Sequence, residues 1–260
     1  FALEAEQDIL VKDNILFGRP LEQHLETSSS LDYITSEEWD YVVLQGSSYL
    51  IAFPEYHNAL YPIYSEFNNR IKSNYSETKI VLFMDWTNDE EVYYNERHYA
   101  PNAFHELIKS GTMLFADKYD FIVAPIGAAF NYVMNYHPDI NLLSTDNVHP
   151  SNTGSYLAAC VYYYTIFGDV FMNHFTTTEN LEDEQAYLLQ DIAKDIVLSN
   201  FDYWHNLTDS ATSINNPGSS ALSIQLFPNP VSSYLNIQSN RPKSNYRIYN
   251  LVGIEVMQGI

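Results

Sequence analysis

Three short, uninterrupted apolar runs, set between long stretches with helical spacing, decide what this chain can fold into. They are Tyr41-Val42-Val43-Leu44, Ile80-Val81-Leu82-Phe83-Met84 and Phe121-Ile122-Val123-Ala124. A strand apolar on both faces has to be covered on both faces, and the segments between the runs are the only helices available to cover it. Strand, helix, strand in regular alternation is the order of a parallel sheet with right-handed crossovers. The expected fold class is therefore α/β, with three layers. The strand Trp39 to Leu44 ends in Gln45-Gly46-Ser47-Ser48, and ligands in such sheets bind beyond the carboxyl ends of the strands.

The helices follow from the same periodicity. Tyr56 to Tyr75 places Leu60, Ile63, Tyr64, Phe67 and Ile71 on one stripe, Asn102 to Tyr119 repeats the pattern, and Ala128 to Tyr136 is shorter. Leu181 to Trp204 reads as one long amphipathic helix, a lid or outer layer, burying Leu188, Leu189, Ile192, Ile196 and Phe201. At the N-terminal end, Ile9-Leu10-Val11 and Ile15-Leu16-Phe17-Gly18 have strand character, Leu21 and Leu25 fit a short helix, and Thr27 to Ser30 reads as a loop. Thr87 to Asn95 is an acidic, aromatic loop; Trp86, Tyr93 and Tyr94 either line a substrate cleft or pack the loop.

The chemistry concentrates in Ser144-Thr145-Asp146-Asn147-Val148-His149-Pro150-Ser151-Asn152-Thr153-Gly154-Ser155. Pro150 fixes its own φ and pushes His149 towards an extended conformation, and Ser151 is a good N-cap for the apolar helix that follows. A stiff loop suits an imidazole acting as general base, because its ring has to be held in one tautomer by a carboxylate. Asp146 lies close enough in sequence to hold it; an Asp-x-x-His before a helix is also a common polar turn. His98 and His105 have no nearby third ligand, so a metal site is not expected.

Asp-x-Val-His-Pro-Ser-x-x-Gly-Ser-Tyr-Leu-Ala-Ala resembles the last block of the SGNH (GDSL-type) hydrolases, serine esterases on a flavodoxin-like sheet. The resemblance implies that His149 is general base, that Asp146 orients it, and that no cofactor is needed. It makes Gly18 and Gln45 candidate oxyanion donors, Gln45 because Trp-Asp-Tyr-Val-Val-Leu-Gln is similar to the corresponding block in one branch of the family. A lone glycine also serves as a turn, and a glutamine also caps a strand. Trp86 and Ser47 are the candidate substrate-binding residues. The family's nucleophile sits in a Gly-Asp-Ser or Gly-Asn-Ser turn after the first strand, and no such turn occurs here. The resemblance thus expects the first strand to be missing and these residues alone to be inactive, with Ser47 and Ser48 as poor substitutes.

A formal charge of −21 with only 12 Lys and Arg argues against nucleic acid or an anionic membrane surface as a partner. No apolar run reaches the length of a membrane span. Residues 208–222, rich in Ser, Thr, Asn, Pro and Gly, read as a linker between a hydrolase-like domain at 1–207 and a small all-β module at 223–260. That module, with Pro-Asn-Pro-Val-x-x-x-Leu-x-Ile and Ile-Tyr-Asn-x-x-Gly, is similar to the sorting domain of the type IX secretion system. The similarity implies a bacterial protein of Bacteroidetes type, secreted or surface-attached, with the secretion machinery as partner. The expected activity is hydrolysis of carboxylic esters, on a small molecule or a polysaccharide, with O-acyl groups on carbohydrate favoured. The rivals are a glycan-binding scaffold without turnover and a metal-dependent phosphoesterase.

Overall fold

A computed structural model describes residues 9–88, 90–168 and 181–207, and beyond them the backbone of four C-terminal strands. The chain divides into two units, Phe1–Ser210 and Ala211–Ile260. In the first, strands β1 (Tyr41–Leu44), β2 (Lys79–Phe83) and β5 (Ile122–Ala124) form a parallel sheet in the order β1-β2-β5. The register sets Leu44 beside Leu82 and Leu82 beside Val123. Between β2 and β5 the chain adds an antiparallel hairpin of β3 (Val92–Tyr94) and β4 (Arg97–Tyr99).

Because neighbouring strand residues point to opposite faces, each apolar run serves two cores. Leu44, Ile80, Leu82 and Val123 pack against α3 (Ser48–Ala52), α4 (Pro54–Asn74) and α5 (Pro101–Tyr119), with Phe67, Ile71, Ile108 and Phe115 from the helices. Val81, Ile122 and Ala124 pack on the other side against α6 (Ile126–Tyr136), α7 (Asn152–Phe167) and α8 (Asp183–Leu198), with Phe130, Tyr156, Leu157 and Leu189. Each such Val, Leu, Ile or Phe taken from water contributes about 1.5–3 kcal/mol. The three-layer α/β arrangement expected from the sequence is the one observed.

Four local expectations are corrected. Residues 9–18 form no strand: Arg19 N–H closes a turn onto Leu16 at 3.1 Å, Gly18 takes a left-handed φ of 64°, and Phe17 is 90% exposed. The physical reason is the lack of a partner, since no strand among the described residues lies along the edge of β1 away from β2. Thr27 to Ser30 is not a loop. After α1 (Glu22–Leu25), helix α2 (Ser28–Thr35) starts at once because Leu31 and Ile34, one turn apart, reach the first core. The loop Thr87 to Asn95 contains the first strand of the hairpin, whose turn at Asn95 and Glu96 has φ of 50° and 63°. Both residues are left-handed, as a hairpin's tightest turn needs, without the glycine that would have announced it. The long C-terminal helix breaks at Ser199-Asn200 into α8 and α9 (Phe201–Trp204), and the indole of Trp204 donates back to the Ile196 carbonyl at 2.8 Å.

In the second unit, β6 (Ile224–Phe227) pairs antiparallel with β7 (Asn236–Ser239), and β8 (Tyr246–Tyr249) with β9 (Glu255–Gly259). The expected linker at 208–222 lies outside the described residues.

Candidate active site

The loop between α6 and α7 folds into a tight reversal. Leu143 and Pro150 face each other in an antiparallel bridge, Ser144 N–H donates to the His149 carbonyl at 2.7 Å, and Ser151 N–H donates to that of Leu142 at 2.8 Å. Asn147, at a left-handed φ of 57°, turns the chain; Asn tolerates that conformation better than most residues. Below the turn, Ser151 caps α7 by accepting from Gly154 N–H at 3.1 Å. Gly154 has to be glycine, because a Cβ there would overlap the Leu142 carbonyl and the ring of Phe130.

Inside the reversal the two oxygens of Asp146 divide the work. Oδ1 accepts from the Ser144 hydroxyl at 2.7 Å, from His149 N–H at 2.9 Å and from Val148 N–H at 3.0 Å. Oδ2 is left facing His149 Nδ1 at 2.6 Å. An ionised carboxylate only accepts, so Nδ1 carries the proton and Nε2 of the neutral ring is the free acceptor. The hydrogen bond from the His149 ring, then the Ser144 hydroxyl and the two backbone N–H groups, hold the Asp146 carboxyl well below the usual carboxylate range. The His149 side chain is 77% exposed. Among the described residues no hydroxyl is hydrogen-bonded to Nε2.

The segment after β2 locks this turn to the sheet. Trp86 stacks on Phe130 at 4.5 Å between centroids and gives its indole N–H to the Val148 carbonyl at 3.1 Å. Glu90 accepts from the Asn147 side chain at 3.2 Å. The dyad therefore stands at the carboxyl end of β2, the same end as the Gln45 to Ser48 segment that follows β1.

The other expected residues are placed as follows. Gln45 is exposed, directly after β1. Ser47 caps α3, accepting from Leu50 N–H at 3.4 Å. Gly18 sits in the turn described above and is joined to no strand of the sheet. Tyr94 packs inward, its ring 3.9 Å from that of Phe53 and its hydroxyl on Glu55 at 2.6 Å, whereas Tyr93 is 61% exposed beside His98. Ser144 and Glu90 were not singled out from the sequence. Ser-x-Asp-x-x-His carries a usable signal for the first, since a serine two residues from an aspartate can bond it locally; nothing local points to Glu90. No three His, Cys, Asp or Glu side chains come together as a metal site among the described residues, and no helix among them is long and apolar enough to cross a membrane.

Residues 225–259 match the family model described as the secretion system C-terminal sorting domain. The domain marks proteins of the type IX route, so this chain is one that is secreted or displayed at the cell surface. Among solved structures, a DUF4886 family protein from Bacteroides uniformis ATCC 8492 is similar over 71% of this chain and 81% of its own, at 16% identity and a TM-score of 0.59. A protein named as a candidate SGNH hydrolase from Slackia heliotrinireducens is similar over 57% of this chain and 80% of its own, at 22% identity and a TM-score of 0.47. The first of these likenesses is one of fold. No curated protein matches the sequence.

Proposed function

We propose that this exported protein is a serine-type hydrolase of carboxylic esters, with O-acyl groups on carbohydrate as the substrate class. The observation that carries the reading is the Asp146–His149 pair, 2.6 Å apart, with the unbonded side of the ring turned outward at the carboxyl end of a parallel sheet. Nε2 takes the proton of an attacking serine hydroxyl and then delivers it to the departing alkoxide oxygen. Asp146 keeps the ring in the Nδ1–H tautomer and stabilises the imidazolium that forms in between. Gln45, exposed at the end of β1, is the side-chain donor for the oxyanion, and Gly18 is the backbone candidate. The sorting domain supports a location outside the cell, where a polysaccharide ester is met.

The full-length protein is expected to hydrolyse p-nitrophenyl acetate and acetylated sugars with no sensitivity to EDTA. His149→Ala should reduce the rate on the order of 10³-fold or more. Hydrolysis unchanged by that substitution would end the proposal, and loss of activity on chelation would favour the metal-dependent alternative.

A further inference from the structure

Beneath the carboxyl ends of β1 and β2, on the face opposite Trp86, lies a small cleft lined by Gly46, Ser48, Tyr64, Asp85 and Thr112 among apolar neighbours. It has room for about one water-sized group. Tyr64 is buried, 3% exposed, yet its hydroxyl makes no hydrogen bond among the described residues. That hydroxyl stands over Gly46, where a Cβ would overlap it, so the glycine keeps the space open. Asp85 also lines the cleft, and its carboxyl accepts from Trp86 N–H at 3.0 Å and is hydrogen-bonded by Ser48. Burial pushes this carboxyl up from its ordinary value, and the bonds from Trp86 and Ser48 only partly oppose the shift. Thr112 is already committed to the Ile108 carbonyl at 2.8 Å.

The chemistry of the lining selects the occupant. An anion would face Asp85 with no Lys or Arg among the lining residues to balance it. A methyl group would leave the Tyr64 hydroxyl buried and unpaired, at a cost of roughly 1–3 kcal/mol. A hydroxyl group answers both sides at once, accepting from Tyr64 and donating to Asp85. We propose that this cleft is a subsite for one hydroxyl group of a sugar or other polyol, bound between Tyr64 and Asp85. It rests on the ester-hydrolase reading only in making that polyol part of the substrate.

The test is binding, which needs no turnover. Methyl α-D-glucopyranoside titrated into the full chain is expected to give saturable shifts of the Gly46 and Ser48 amide resonances, and tetrahydropyran, the same ring without hydroxyls, none. Tyr64→Phe keeps the ring packed on Phe115, 4.8 Å away, and removes only the donor; it should weaken binding about fivefold or more, as should Asp85→Asn. His149→Ala should leave the shifts in place, so a protein that binds the glycoside but hydrolyses nothing sinks the proposed activity and not the subsite. Absence of saturable shifts, which is what a site for water alone would give, overturns the subsite. So do equal shifts with tetrahydropyran, or undiminished binding by Tyr64→Phe.

Discussion

The indole N–H of Trp86 reaches the carbonyl of Val148 at 3.1 Å, across 62 positions of sequence. Through this bond the strand that ends at Phe83 fixes the height of the Asp146–His149 turn, while stacking on Phe130 fixes the indole itself. A side chain expected to hold substrate thus also ties down the turn that carries His149.

Trp86→Phe separates those roles. The ring can still stack on Phe130, but the Val148 carbonyl loses its donor. In the full-length protein kcat is expected to fall about tenfold with KM within about twofold, because a displaced general base costs chemistry more than binding. A rise in KM at constant kcat would mean that the indole serves the substrate directly.

Asp146→Asn should leave the turn largely intact and lower kcat on the order of 10² to 10⁴-fold by ending the hold on the Nδ1–H tautomer. The native carboxyl is held well below the usual range, first by the ring of His149. Its charge is therefore present at and above the ordinary carboxylate pKa and is lost only as pH falls further, through the lowered value. A pH–rate profile between about pH 4 and 8 should accordingly show no step belonging to Asp146, and one that vanished in the Asn variant would contradict the geometry.

His105 lies in α5, 3% exposed, with Nδ1 unpaired among the described residues. Burial first, and the Lys109 ammonium second, lower its pKa to about 4. A depressed histidine binds its proton more weakly folded than unfolded, so stability is full above about pH 6.5 and declines as pH falls towards 4. Urea denaturation is expected to give about 2–3 kcal/mol less stability at pH 4.5 than at pH 7 from this group. His105→Phe should flatten that part of the curve, and an unchanged slope in the variant would assign the loss to other groups.

Gly154→Ala drives a Cβ into the Leu142 carbonyl, a backbone atom held by the Ser151 N–H. We expect about 2–4 kcal/mol of destabilisation together with lost hydrolysis, since the same backbone carries the dyad. A melting temperature within a degree or two of wild type would show that the loop and α7 can separate at little cost.

The sheet was legible because its strands are apolar on both faces and its helices repeat at helical spacing; β1, β2, β5 and their covering helices fall where Leu44, Leu82, Val123 and the Leu60–Ile71 stripe put them. The dyad was legible as well, being contained in four consecutive residues and stiffened by Pro150 and the Ser151 cap. The turn at Asn95-Glu96 was not, because left-handed backbone without glycine leaves no mark in composition. Nor was the break at Ser199-Asn200, which is closed by a side chain four residues beyond it.

Sequence alone determined the layers and the pairing of Asp146 with His149, because periodic burial and a four-residue turn are local properties of a chain. Only the tertiary structure decided that Trp86 anchors the Asp146–His149 turn, that Tyr64 and Asp85 line one cleft beside Gly46, and that residues 9–18 stay out of the sheet. Each of these depends on which distant backbone is alongside to give or take a hydrogen bond. No local pattern carries that information, and packing settles it once the whole sheet is assembled.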